Sequence, residues 1–329
     1  MRRRLTFSLF FIMLAVVLFV HYDGNTIEDI RTIKVEMEPQ NSNGFTVLSA
    51  NVGNLSLGCR KYLNNLCYKE VEQRIADNIQ TLKPGIVTLQ EVLAPWQCQT
   101  VNETNKKRVC YEKQEVAQVR RLLGPDYTVV CDTRNQFECV GVRMDLGIID
   151  DCKTGELCFS ARTAPALPDC DPGFTVSAVT VRFFDGLIFD LVNLHPQSTN
   201  DKCRAQMLAQ IFASGEDFSP LLREEKVLLM GDFNMDPWRD EDKSVQTWQE
   251  IFRAGWGGYP LRYHNAGIET GNPDFTAFIL WRKRTYDFIV SNFAVGTCVV
   301  LGESSDTPRL DGGHGMDHRA LYGMLKTED

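Results

Sequence analysis

The chain has 329 residues, 43% of them hydrophobic and 24% charged, ordinary values for a folded protein long enough to bury a full core. Its 35 Lys and Arg against 43 Asp and Glu leave a net charge of −8. That balance argues against tight nonspecific binding to a polyanion, which draws on Lys and Arg, but not against catalysis on a phosphate ester, where local charge decides.

Arg2-Arg3-Arg4 precedes an apolar run over residues 5–20, interrupted only by Thr6 and Ser8. The positive flank and the length fit a signal-peptide core or a short membrane span. No small-x-small cleavage site follows, because the next residues are His21-Tyr22-Asp23-Gly24. Residues 1–22 are therefore expected to be an uncleaved signal anchor with its arginines cytoplasmic, a cleaved signal peptide being the alternative. Residues 23–43 are polar and read as a linker, which leaves 44–329 as the folded domain.

From Phe45 onward strands and helices alternate. Residues 45–51 read as a strand, and Val71, Ile75, Ile79 and Leu82 recur at helical spacing until Pro84-Gly85. Residues 86–89 form a short apolar strand that runs into Gln90-Glu91. Val116, Val119, Leu122 and Leu123 mark a second helix, ended by Gly124-Pro125. Residues 145–173, rich in Asp, Gly, Pro and Cys, read as a long stapled loop or hairpin. Strands at 174–183 and 187–193 are joined by Asp185-Gly186, a strong hairpin signal. A helix near 204–212, the strand Val227-Leu228-Leu229-Met230, a helix around 245–252 and strands near 286–290, 295–301 and 320–325 follow. No internal repeat or low-complexity block is present. The basic clusters Lys106-Lys107-Arg108, Arg120-Arg121 and Arg282-Lys283-Arg284 read as solvated surface.

Eleven cysteines, mostly in polar, loop-like sequence, suit disulfides in an oxidising compartment. A zinc site would need short CxxC pairs, and the sequence has none. The odd count leaves one thiol over, and Cys298, inside an apolar run, is expected to be the buried free one. The segments from Cys59 to Cys67 and from Cys98 to Cys110 are expected to be stapled loops.

The most informative stretch is Gly231-Asp232-Phe233-Asn234-Met235-Asp236-Pro237, a buried strand that ends in Asp-x-Asn. Residues two apart on an extended backbone point the same way, so the carboxylate and the carboxamide can converge on one ligand. Alone, an Asx turn explains it equally well. Its companions change the balance. Asn51, Glu91 and His195 close other strands, Asp287 opens one, and Asp317-His318 precede the last. Converging strand ends are where one site could collect them.

Together the motifs Ser49-Ala50-Asn51, Leu89-Gln90-Glu91-Val92, Asn193-Leu194-His195, Gly231-Asp232-Phe233-Asn234, Tyr286-Asp287-Phe288-Ile289 and Asp317-His318 resemble the endonuclease/exonuclease/phosphatase superfamily, of deoxyribonuclease I-like type. They occur in that family's order over residues 45–329. The resemblance implies an α/β fold, a four-layered α/β/β/α sandwich with its site at one end. It implies Mg²⁺, or Mn²⁺ in its place, held by Glu91 with Asn51 and Asp317. Hard oxygen ligands suit such an ion. By the same resemblance Asp232 orients or deprotonates the attacking water, Asn234 bonds the phosphate, and His318 is held by Asp287. His195, where abasic-site endonucleases carry tyrosine, resembles the deoxyribonuclease I-like and sphingomyelinase-like members. Glu138 resembles the glutamate that partners this histidine, which would make the pair the leaving-group acid.

Two departures stand out. Met316 replaces the usual Ser before Asp-His, and Val52-Gly53-Asn54 alters the first motif. The signature of inositol polyphosphate phosphatases is missing around Tyr286-Asp287-Phe288. The expected activity is Mg²⁺-dependent phosphodiester hydrolysis by an extracytoplasmic nuclease. Nucleic acid is favoured over phospholipid as partner, the anchor provides a membrane attachment, and no obligate protein partner is evident. A sphingomyelinase-type phospholipase and a catalytically inactive binding module are the alternatives.

Overall fold

The computed structural model describes residues 44–53, 69–94, 116–213, 220–271, 273–279, 282–303, 307–313 and 316–328. The expected anchor, the polar linker and the cysteine segments 59–67 and 98–110 lie outside the described residues. The first half contains β1 (Gly44–Asn51), α1 (Lys69–Leu82), β2 (Ile86–Gln90), α2 (Gln118–Leu123), β3 (Tyr127–Asp132), β4 (Cys139–Arg143), β5 (Gly147–Ile149) and β6 (Leu157–Thr163). There follow β7 (Thr175–Phe183), β8 (Ile188–His195), α3 (Asp201–Phe212), β9 (Val227–Asp232), α4 (Lys243–Ala254) and β10 (Arg262–Tyr263). The chain closes with β11 (Ala277–Ile279), β12 (Arg282–Arg284), β13 (Asp287–Ser291), β14 (Ala294–Val300) and β15 (Leu321–Thr327).

One sheet runs β6-β3-β4-β2-β1-β15-β14 and the other β10-β13-β9-β8-β7, with β5 and the end of β6 alongside β7. Strand β6 belongs to both. Leu157 and Cys158 pair with β3, whereas Arg162 and Thr163 pair with β7. The two-residue strand period then sorts the side chains into layers. Phe45 and Val47 of β1 meet Leu191 of β8, Met230 of β9 and Ile289 of β13 between the sheets. Leu48 and Ala50 point the other way, beneath Ile75 and Ile79 of α1 and Leu122 of α2. Val227 and Leu229 of β9 point outward to Leu208 of α3 and Trp248 of α4. Three separate cores therefore divide four layers, helix, sheet, sheet, helix, and the expected sandwich is present.

Local chemistry fixes the helices. Asn200 caps α3 by accepting from the Lys202 and Cys203 amides, and Asp242 caps α4 by accepting from Val245. Glu72 on α1 accepts from both Gln118 and Arg121, which ties α2 to its neighbour. The parallel pairs β1–β2 and β8–β9 need crossover connections, and α1 and α3 supply them.

Three sequence expectations change. The second helix begins at Gln118, with Val116 outside it and 48% exposed, because Ala117 is still extended. Residues 145–173, expected to be a stapled loop or hairpin, are stapled by Cys152–Cys158 but contain β5 and β6, which pair with β7 and β3 rather than with each other. Most of β6 is only partly buried, which disguised it. The β3–β4 hairpin carries no alternating signal, because both its strands are buried on two faces.

Disulfides join Cys131 to Cys139, Cys152 to Cys158 and Cys170 to Cys203. They fit an oxidising, extracytoplasmic environment. Cys298 is buried and free as expected, and burial pushes its thiol up. Among the described residues no helix is long and apolar enough to cross a membrane.

Candidate active site

Register places the polar strand ends together. Strands β1 and β2 are parallel, as are β8 and β9, so Asn51, Glu91, His195 and Asp232 lie at carboxyl ends that face the same way. Strand β13 runs antiparallel to β9 with Asp287 opposite Asp232, and β4 runs antiparallel to β2 with Cys139 opposite Leu89. Their first residues therefore reach the same end, which brings in Asp287 and, one position before β4, Glu138. Parity does the rest. Asn51, His195, Asp232 and Asp287 share the inward face with Val47, Leu191, Met230 and Ile289.

At the centre is the Asp232 carboxylate, 1% exposed. Its Oδ2 accepts from Asn51 Nδ2 at 3.2 Å and lies 3.5 Å from His318 Nε2 and 3.9 Å from His195 Nε2. Its Oδ1 accepts from the Asn234 amide at 2.7 Å. Each histidine is held from behind by a second carboxylate. Glu138 Oε1 is 2.8 Å from His195 Nδ1, and Asp287 Oδ2 is 2.8 Å from His318 Nδ1. Glu91 sits between the two sheets' contributions, with its Oε1 3.2 Å from Asn51 Nδ2 and 3.6 Å from His195 Nε2. Glu91 (φ 56°) and Asn234 (φ 52°) both adopt left-handed backbone, which is costly for Glu and tolerated by Asn.

Gly231 makes this proximity sterically allowed. It has φ 144°, and a Cβ there would come within 2.2 Å of the Leu194 carbonyl oxygen. Any side chain would push β8, and with it His195, away from Asp232.

Burial and mutual repulsion dominate the electrostatics. Burial, reinforced by Asp317, pushes Glu91 up to about 8 against the pull of His195, Asn51 and His318. Burial, with Asp232 beside it, also raises Asp287. Asp317, in the turn before β15, is raised by burial together with Asp232 and Asp287. Burial opposes the charged form of His195, but Glu138, Glu91 and Asp232 outweigh it and bring the ring up to about 9. His318 is raised well above its ordinary range, because Asp287, Asp232 and Asp317 overcome the same burial penalty. Both rings are thus biased towards the imidazolium form.

Every residue expected from the sequence lies at this end of the sandwich, though Asn234 is turned partly away. Its Nδ2 donates to the Pro196 carbonyl at 2.9 Å, leaving one amide hydrogen for a ligand. Several contributors were not singled out beforehand. Thr276 Oγ1 accepts from the Tyr286 and Asp287 amides, and Asn265 brackets Asp287 through its carbonyl and the Ile289 amide. The Asp132 carboxylate accepts from four amides, those of Arg134, Asn135, Phe137 and Glu138, and so fixes the turn that presents Glu138. Asn193 donates to the Leu89 and Cys139 carbonyls and accepts from Gln90, which joins the two sheets directly behind the site. Only Asn193 left a signal, two residues before His195 and on the same face.

The donor set fits a divalent cation. Glu91, Asp232, Asp287 and Asp317 gather at one place, and burial together with repulsion from the neighbouring carboxylates raises Glu91, Asp287 and Asp317, a set that a cation would relieve. Oxygen donors from Glu91, Asn51 and Asp317 suit Mg²⁺. Asn51 turns its nitrogen to Glu91 and Asp232, and a half-turn of the amide would present its oxygen instead. Asp232, Asp287 and His318 also lie close enough to share an ion. There, both nitrogens of His318 already face carboxylates, which suits a hydrogen-bonded dyad better than a ligand set.

No family model matches the sequence, and no curated protein matches it. Solved structures do. An endonuclease/exonuclease/phosphatase family protein from Bacteroides thetaiotaomicron superposes with TM-score 0.55 at 17% identity, covering 87% of this chain and 98% of that one. The human Nocturnin catalytic domain with bound sulfate anion gives 0.53 at 14% identity, over 87% of this chain and 94% of its own. Truncated Caenorhabditis elegans TDP2 gives 0.51 at 14%, over 86% and 98%. The chain has the deoxyribonuclease I-like fold that the endonuclease/exonuclease/phosphatase superfamily shares.

Proposed function

We propose that the protein is a divalent-metal-dependent phosphodiesterase, and more narrowly an extracytoplasmic nuclease. The observation that carries this reading is the meeting of two carboxylate-held imidazoles at one aspartate, beside Glu91 and Asn51. A cation held by Glu91, Asn51 and Asp317 would stabilise the charge that builds on the phosphoryl oxygens.

The chain's own groups supply the rest. Asp232, within hydrogen-bond reach of both the Asn51 and Asn234 donors, accepts the proton of the attacking water. His318, kept cationic by Asp287, stabilises the developing negative charge on the phosphorane. His195, protonated through Glu138, donates its Nε2 proton to the departing oxygen. The remaining amide hydrogen of Asn234 is available to a phosphoryl oxygen. Nocturnin, of the same fold, holds sulfate, a tetrahedral oxyanion shaped like phosphate.

Nucleic acid is favoured over phospholipid because no long loop of the sequence is clearly apolar. Phe184, 67% exposed, lies in the β7–β8 turn, at the opposite end of β8 from His195. The deciding assay exposes the purified domain to plasmid DNA, RNA, sphingomyelin and bis(4-nitrophenyl) phosphate, with Mg²⁺, Mn²⁺ or a chelator. Metal-dependent cleavage of nucleic acid is expected. Turnover of sphingomyelin alone would replace the nuclease reading, and inertness towards all four would remove the enzyme reading.

A further inference from the structure

Next to the leaving-group histidine, across the Phe174 ring, lies a cavity of about 110 Å³ that the chemistry above does not use. Its lining includes Arg134, Pro165, Leu167, Pro172, Phe174 and Met207. Phe174 joins it to the site, because its ring packs edge-on against the His195 imidazole with centroids 5.0 Å apart. Arg134 stands on the same short turn as Glu138, and Asp132 anchors that turn by four hydrogen bonds. Asn135 of the turn donates to the Pro172 carbonyl, which clamps the turn to the opposite wall. Acid, aromatic ring and arginine are thus one rigid assembly.

The arginine is the informative member. It is half-buried, and its Nη2 donates to the Ala164 carbonyl. Among the described residues no carboxylate lies within ion-pair distance of its guanidinium. Burial lowers its pKa, with Asp132 the one carboxylate that opposes this. Asp171 also lines the cavity, but one of its oxygens accepts from the Gly173 amide in its own loop. A partly desolvated cation facing a cavity with an aromatic wall and two proline rings matches a ligand that is flat on one side and anionic on the other. A nucleobase stacks on aromatic rings, and a phosphate takes up a guanidinium.

We propose that this cavity is a leaving-group subsite that receives the nucleotide on the far side of the scissile bond, its base against Phe174 and its flanking phosphate on Arg134. This rests on the reading of His195 as the acid that protonates the departing oxygen. It explains why Glu138, the glutamate that holds that acid, stands on the same turn as a cation. The subsite makes the enzyme favour polynucleotides over small diesters through binding beyond the reacting phosphate.

The test compares wild type with Arg134→Ala, Arg134→Lys and Leu167→Trp on two substrates. One is a single-stranded oligonucleotide and the other bis(4-nitrophenyl) phosphate, which has no flanking phosphate. A lost charge-assisted contact corresponds to about ten- to a hundredfold in KM. Arg134→Ala should raise the oligonucleotide KM by that factor with kcat little changed, and leave the small diester unaffected. Arg134→Lys should recover part of the loss, and Leu167→Trp, which fills the cavity, should reproduce it. The small diester also reports that each variant is folded and still activates water, while an unchanged oligonucleotide kcat reports that His195 still acts. An unchanged oligonucleotide KM in Arg134→Ala and Leu167→Trp would overturn the subsite while leaving the phosphodiesterase reading intact. Equal losses on both substrates, or a fall in oligonucleotide kcat at unchanged KM, would overturn it too. The first would be a general defect of the site, and the second an effect through His195 alone, whose proton the nitrophenyl group does not need. Wild-type inertness to both would overturn subsite and proposed function together.

Discussion

The layer between the two sheets has two regions made by the same strands, with the same parity and nearly the same burial. Its middle is apolar, with Val47, Leu191, Met230 and Ile289 fully buried. Two to four residues further along β1, β8 and β9, and two residues back along β13, it becomes Asn51, His195, Asp232 and Asp287, 1–4% exposed. The middle removes apolar surface from water and stabilises the fold. The end buries carboxylates that repel one another, which does the opposite until imidazolium, amide or cation neutralises them. One register therefore delivers both stability and reactivity, and substitutions in the two regions should separate them.

The largest effect expected is on the two histidines. General acid catalysis contributes typically about 10²–10⁴-fold. His195→Ala should lose that much on substrates with alkoxide leaving groups and far less on a nitrophenyl ester, which departs without a proton. His318→Ala should slow both alike, because charge stabilisation is needed whatever leaves. Rates on the two ester types decide it, and equal losses for His195→Ala on both would end its role as acid.

Glu91→Gln comes next. Removing a group that stabilises transition-state charge costs on the order of 10²–10³-fold, so turnover should fall by that factor with partial rescue by excess Mg²⁺. Its stability should move the other way. Without metal at pH 9, thermal melts should show the variant no less stable than wild type, because a buried, repelled carboxylate has been neutralised. A variant that keeps full turnover would remove Glu91 from the site.

Leu191→Ala tests the other region. A buried Leu→Ala change costs about 2–5 kcal/mol, read as a shifted denaturant midpoint, while kcat at a temperature where the variant stays folded should hardly change. A kcat loss without a stability loss would show that the middle of the layer also shapes the chemistry.

The contrast between the regions also explains what could be read from the sequence. Asp232, His195, Asn51 and Asp287 were legible because each follows or precedes an apolar strand whose period fixes its face, and their motifs come in a familiar order. Glu138 was visible only through resemblance, because β4, the strand it precedes, is buried on both faces and shows no alternation. Asp132 and Thr276 left no trace, since their roles consist of accepting backbone amides of turns that exist only once the sheets have paired. Strand β6 was missed for a related reason. A strand that serves two sheets in succession is half-covered in each, and its pattern resembles a loop.

The last prediction concerns how protons and metal compete at the polar end. Glu91 has its ordinary 4.5 when unfolded but about 8 in the metal-free fold, so the folded state holds a proton that the unfolded state has released. This is the reverse of a salt-bridged carboxylate. The metal-free protein should lose stability as pH rises from about 4.5 to 8, and level off above that for this group. His195 works in the same direction. Its contribution is fully present below its ordinary 6.5 and is lost as pH passes about 9. A cation that binds Glu91 must displace its proton below pH 8. Mg²⁺ affinity should therefore rise up to about tenfold per pH unit between 6 and 8, then flatten. In Glu91→Gln that slope should be lost along with most of the affinity. Isothermal titration of the domain with Mg²⁺ at several pH values, in two buffers of different ionisation enthalpy, measures both the affinity and the protons released. An affinity independent of pH from 6 to 8, with no proton release, would place the cation away from Glu91.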